Sequence, residues 1–254
     1  MRILQSPREY RKKLRAGPEA LHGRIRAARA RWLALGAPLL LAGIAAGCSP
    51  IDRLRARLQL KEGNRSYLRG EYAEAIQRYD AALRFVPEQA QAHLNRAYAH
   101  EALFRASDDP EERRRLATEA VRSLQASIDL GAKHAGAQAP SRDRLEQRIV
   151  TLYVDSQQTD EAVRFLQARV ERNPQDAATM QMLGHLEAER GRLDEALRWQ
   201  RRRAHAQPES PEAHYALGAF VWQLSFRNPF MEAAARDSLL EEGLAALRRA
   251  AELK

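Results

Sequence analysis

The side chains in this chain that could carry chemistry are seven histidines, one cysteine and 33 carboxylates. Histidine could hold a metal or move a proton, and two carboxylates could act as acid and base, provided their spacing lets them converge. It does not. His93, His100, His134, His185, His205 and His214 include no HExxH pair, and a single cysteine cannot complete a Cys/His zinc set. The adjacent acids Asp108-Asp109, Glu111-Glu112 and Glu241-Glu242 would point about 100° apart on a helix, so each pair diverges into solvent. No G-x-S-x-G elbow, glycine-rich phosphate loop or dinucleotide fingerprint is present. The sequence predicts no catalytic residue, no metal site and no enzyme activity, and no cofactor beyond a covalent lipid considered next.

The cysteine has a context of its own. Of the 42 Lys/Arg and 33 Asp/Glu, ten and two fall within residues 1–31, which leaves 32 against 31 for the remainder. The net charge of +9 therefore belongs to the leader, and no nucleic-acid partner is expected. Arg24, Arg26, Arg29 and Arg31 precede an apolar run of 16 residues from Trp32 to Gly47. That run contains Pro38 and falls short of the ~20 residues that span a bilayer, so it suits the hydrophobic region of a signal peptide. Its end, Ile44-Ala45-Ala46-Gly47-Cys48, resembles a bacterial lipoprotein box, with Ala45 where leucine is more usual. The resemblance implies cleavage before Cys48 and acyl chains, palmitate among them, on the new N-terminus. Two or more such chains anchor durably. Ser49 after the cysteine, rather than aspartate, favours the periplasmic face of the outer membrane over the inner membrane. A small residue inside an uncleaved helix is the other reading of Cys48. Residues 1–47 are long for a signal peptide; a start assigned too far upstream is the preferred reading of the excess, and a cytoplasmic extension is the alternative.

Whatever contacts a ligand must be positioned by a repeated element. From Gly63 to Pro87 the chain reads GNRSYLRGEYAEAIQRYDAALRFVP. Numbered on a ~34-residue period from Ala56, Gly63, Ala75 and Ala82 fall at positions 8, 20 and 27, where two helices, A and B, would cross closely. Gly70 suits the A–B turn and Pro87 ends helix B. This pattern resembles the tetratricopeptide (TPR) repeat, with further copies over 90–131, 143–176, 177–210 and 211–254. It implies an all-α solenoid of about five antiparallel helix hairpins over 56–254, after the signal segment 1–47 and a lipidated tether at 48–55. Two repeats carry insertions: 11 residues around SDDPEERRR interrupt the second, and Ser225–Leu239 interrupts the fifth. GAKHAGAQAP (131–140) reads as a linker. Val150 stands at position 8 of the third repeat, where it should splay the helices, and Arg203 stands at the normally small position 27 of the fourth. His93 and His214 share position 4 and are expected to be hydrogen-bonded spacers.

In TPR proteins, helix A lines the binding groove. Carried onto this chain, the resemblance implies a partner-binding groove that includes Asn64, Tyr67, Tyr98, Glu101, Arg144, Gln147, His185, Tyr215 and Trp222. Aromatics mixed with amides suit a peptide, because rings supply area and amides satisfy its backbone. Packing between repeats is the competing role for Tyr67 and Tyr98. Asn64, Asn95, Arg144 and Arg148 match four of five positions of a carboxylate clamp, with Leu60 in place of the lysine. The basic runs Arg113–Arg115 and Arg201–Arg203 read as solvated surface, or as contacts to anionic lipid or an acidic partner. Leu240, Leu244, Leu247 and Ala251 on the last helix should be partly uncovered and able to dock a partner or a second copy, unless the fifth-repeat insertion folds over them. The expected function is a membrane-anchored scaffold for protein–protein interaction that assists assembly or positioning of an envelope complex. The alternative is a periplasmic binding module for cell-wall glycan or peptide fragments.

Overall fold

The computed structural model describes residues 49–134, 140–227 and 232–254. The leader, Cys48, part of the expected linker and residues 228–231 of the fifth-repeat insertion lie outside them. Ten α-helices and no strand occur among the described residues. They are α1 (Pro50–Leu68), α2 (Tyr72–Phe85), α3 (Ala90–Ala106), α4 (Pro110–His134) and α5 (Arg142–Asp155). The rest are α6 (Thr159–Arg172), α7 (Ala177–Glu189), α8 (Leu193–Ala206), α9 (Pro211–Arg227) and α10 (Ala233–Glu252). From α2 onward each helix packs against the next in the chain, within one compact unit, Arg55–Lys254. The result is a TPR-type solenoid of helix hairpins, with the odd-numbered helices as A and the even-numbered as B.

Local signals set the helix ends. Ser49 accepts a bond from the Asp52 amide at 3.1 Å, and Pro50 occupies the first helical position, where its missing N–H costs nothing. The tether expected over 48–55 is therefore helical from Pro50. Three A–B turns share one closure. Gly70, Gln157 and Gly191 adopt positive φ (79°, 58° and 73°). The following residue in each donates its amide five residues back: Glu71 to Ser66, Gln158 to Tyr153 and Arg192 to Glu187. This pair of features is the Schellman closure, which satisfies carbonyls left open at a helix end. Gln157 takes the left-handed conformation without glycine's freedom.

Small residues govern how closely the hairpins cross. A Cβ on Gly63 would lie 2.6 Å from a Tyr79 ring carbon. One on Gly218 would meet Leu247 Cγ at 2.6 Å and the Gly243 carbonyl at 2.9 Å. Val150, at the equivalent place in α5, is buried among Ala162, Val163 and Leu166.

The described residues show where the extra segments of the second and fifth repeats go: they lengthen helices. The second-repeat segment from Pro110 is the start of the 25-residue α4, and α3 is lengthened beside it. An Asp109-Pro110 start opens the helix, and an unbroken run of good helix formers carries it through. In the fifth hairpin α9 runs to Arg227 and α10 starts at Ala233, so residues 225–227 and 233–239 of the segment lengthen the two helices. The linker read at 131–140 is helical to His134. The long second hairpin is braced against its neighbour. Buried Gln158 donates to the Arg114 carbonyl at 3.3 Å and accepts from Thr118 Oγ1 at 3.2 Å.

Candidate partner-binding groove

The face formed by the A helices begins with a polar knot under a hollow. Tyr79 Oη, from α2, donates to Asn64 Oδ1 at 3.0 Å, and Asn95 Nδ2, from α3, donates to the same oxygen at 2.7 Å. Gln91 Nε2 then donates to Asn95 Oδ1 at 2.6 Å. One amide oxygen thus ties three helices. Burial pushes the Tyr79 phenol up to about 12, which keeps it a donor at neutral pH. Half-buried Tyr67 packs edge-on against Tyr72, with ring centroids 5.3 Å apart. Half-buried Tyr98 lies 4.8 Å beneath the Arg148 guanidinium. Asn64, Tyr67, Leu68, Tyr79, Asn95 and Tyr98 enclose an open hollow of about 250 Å³ with exposed Leu68 at its rim. Sequence reasoning missed the Tyr79 hydroxyl because its ring position reads only as core.

Glu101 is not the open groove carboxylate that was expected. It is buried, and Arg148 Nε and Nη2 grip its two oxygens at 2.5 and 3.1 Å, while Arg105 reaches it at 2.5 Å. The carboxylate that a clamp would capture from a ligand is here supplied by the chain itself. Of the clamp residues, Asn64 and Asn95 bond to each other, Arg148 is engaged by Glu101, Leu60 packs half-buried against the core, and Arg144 stands exposed on α5. The four do not form a carboxylate clamp. A second buried carboxylate, Glu146, is held below the usual carboxylate range against its own burial by Arg142, Arg172 and Arg169. Such pairs link neighbouring helices and leave the central face to other groups.

That central face is polar and exposed: Gln147, Thr151 and Asp155 on α5, then Gln181, His185 and Glu189 on α7. His185 Nε2 sits 3.2 Å from Glu189, one turn away and in solvent. At the far end, α9 presents rings again. Tyr215, Trp222 and Phe226 are 61%, 50% and 65% exposed, and the last two rings lie tilted against each other with centroids 4.8 Å apart. Their i, i+7, i+11 spacing places them on one stripe. Phe226 escaped the sequence reading because it fell in the supposed insertion, although its i+4 offset from Trp222 was visible.

The remaining candidates have structural partners. His93 and His214 direct Nε2 at the carbonyls of Pro87 (2.8 Å) and Pro208 (2.9 Å), six residues back in both cases. Burial holds His93 and His100 below the ordinary histidine value. Among the described residues no group of three or more His, Cys, Asp or Glu is arranged to hold a metal. Arg113 lies over the Phe104 ring and caps α3 through the Phe104 and Ser107 carbonyls. Arg201 forks onto Glu242 of α10 at 2.7 and 2.6 Å, Arg202 covers Trp199, and Arg203 is buried. Neither run presents three free cations. Among the described residues no helix is long and apolar enough to cross a membrane.

Hairpins stacked through glycine crossings and closed by positive-φ turns define a helical-repeat scaffold. The TPR repeat family model matches residues 63–103. No curated protein is similar enough to this chain to count as a relative. Solved structures with a similar helical course include the MamA protein, at 16% identity and a TM-score of 0.42 over 78% of this chain and 91% of that one. MamA from Desulfovibrio magneticus RS-1 is 17% identical, with a TM-score of 0.41 over 82% and 97%. YrrB, described as a TPR protein with an unusual peptide-binding site, is 20% identical, with a TM-score of 0.40 over 77% and 84%. Likenesses this distant say nothing of what the present chain binds.

Proposed function

We propose that this protein is a lipid-anchored scaffold of the bacterial envelope that grips a peptide segment of a protein partner along its A-helix face. The observation that carries the reading is the row of exposed rings on α9, facing water without polar partners. An aromatic stripe of this kind supplies contact area at low entropic cost. The Asn64–Asn95 hollow adds a second anchor point with an amide at hand for a peptide backbone. The polar surface between them suits an extended or helical segment rather than a compact ligand. Acyl chains on Cys48 would hold the scaffold at the periplasmic face of the outer membrane, where it would assist assembly or positioning of an envelope complex.

The test is a pull-down from detergent-solubilised envelopes, comparing wild type with Trp222→Ala and with Tyr98→Ala/Trp222→Ala. Loss of a specific protein partner is expected, more complete in the double variant. An unchanged set of partners would overturn the groove assignment. Independently, metabolic labelling with an acyl analogue should mark the wild type and spare Cys48→Ser; equal labelling of both would remove the anchor.

A further inference from the structure

The edge of the solenoid at α10 carries an apolar face whose counterparts elsewhere are covered. Leu244 occupies the repeat position of Val163 in α6 and Leu197 in α8. Those two are 4% and 5% exposed, whereas Leu244 is 47% exposed. Ala251 is likewise exposed, while its equivalent Ala204 is buried against α9 with Leu217, Val221 and Leu224. Half-buried Leu240 and Leu247 complete a stripe with the 4-3-4 spacing of a coiled-coil seam. Beside that seam stand Glu241 and Arg248, seven residues apart and exposed, with no ion-pair partner among the described residues.

The opposite edge of the solenoid matches this face only in part: Ile51, Leu54 and Leu58 of α1 are exposed and apolar, but the positions that follow them on that face are charged. In α1 the positions that internal A helices fill with Ile149, Leu183 and Leu217, or with Ala99, Leu152 and Leu186, are Glu62 and Arg65, which pair with each other at 2.7 Å. Arg69, one turn on, pairs with Glu71. Head-to-tail stacking would press these charges onto Leu244 and strip their water. The α10 face is instead complementary to itself. In an antiparallel pair of α10 helices, Leu240, Leu244, Leu247 and Ala251 meet their own copies' seam. The same two-fold brings Glu241 opposite Arg248 of the second copy, and Arg248 opposite its Glu241. Asp237 and Glu252 lie farther out, where crossing helices diverge.

We propose that the α10 face is a homodimer interface, formed by two copies related by a two-fold axis with their α10 helices antiparallel. The interface is isologous, so assembly closes at two. It leaves the α9 stripe free, and a dimer would offer two grooves to one partner complex.

Light scattering on the full chain in mild detergent should give the protein mass of a dimer over about 1–100 µM. Leu244→Asp, at an exposed site, should give a monomer with unchanged helical circular dichroism. Glu241→Arg and Arg248→Glu should each weaken the dimer about tenfold, because each sets like charges face to face twice, and the double reversal should restore it. A monomer across that range in the wild type, growth beyond two, or single reversals without effect would each overturn the proposal.

Discussion

The first and fifth hairpins both place aromatic rings on the A-helix face, and they use them in opposite ways. Around the first, Tyr79 of α2 is buried, Tyr67 of α1 and Tyr98 of the adjoining α3 are half-buried, and amides, a neighbouring ring and an arginine hold them in place. At the fifth, Tyr215, Trp222 and Phe226 stand half or more exposed, and Trp222 and Phe226 lie against each other. Tyr67 and Trp222, which share one repeat position, have thus become framework at one end and contact surface at the other. The difference lies in what comes from the adjoining helices. Asn64, Asn95 and Arg148 converge on the tyrosines, while nothing among the described residues reaches across to the α9 rings.

The largest effect should come from breaking the crossing that supports the exposed end. Gly218→Ala would push a Cβ into Leu247 and the Gly243 carbonyl, and should cost about 2–4 kcal/mol of stability by denaturant unfolding. At Gly184 the nearest atom is the mobile end of Gln200 at 3.0 Å, so Gly184→Ala should come out near neutral. Next, Trp222→Ala should change stability by less than about 0.5 kcal/mol yet weaken partner binding roughly tenfold or more. Tyr79→Phe should show the reverse balance, losing about 1 kcal/mol of stability as Asn64 loses a donor. If Trp222→Ala unfolded the fifth hairpin instead, the contrast between framework and contact surface would fail.

Smaller effects sharpen the same comparison. Gln157→Gly should stabilise the third hairpin by about 0.5–1 kcal/mol, because the left-handed turn there lacks the glycine found at Gly70 and Gly191. Protonation should then single out the first end. His93 and His100 have folded pKa values below the ordinary 6.5, so the unfolded chain binds their protons more readily. Their stabilising effect is complete above that value and is lost as pH falls from it through the folded values. Hydrogen exchange in α2–α4 should accelerate over that interval, and His100→Gln should blunt the change. Glu146 and Asp176 have values lowered from the ordinary 4.5 and 3.8, so their contribution around α5–α7 is complete above those values and is lost as pH falls from them through the folded ones.

Much of this architecture was legible because a repeat states its packing rule several times. Gly63, Gly184 and Gly218 recur at one position, and at Gly63 and Gly218 a Cβ would collide with the crossing helix. Prolines 87 and 208 mark helix ends, and the histidine six residues beyond each of them was read as a spacer before its carbonyl partner was seen. The site was less legible. Glu101, Arg148 and Arg144 look equally available in a linear chain, and nothing local says that the first two will consume each other across 47 residues.

By itself, then, the sequence determined the hairpins, their order and the glycine crossings, because spacing along a helix already says which side chains share a face. It also set the expectation of an acylated Cys48, which lies outside the described residues. The tertiary structure alone decided which charged and aromatic side chains are committed and which are free. It turned two apparent insertions into longer helices, matched Glu101 with Arg148, and left the α9 rings and the α10 seam uncovered. Commitment depends on what a distant helix brings within hydrogen-bond or van der Waals reach, and that distance is fixed only when the helices stack.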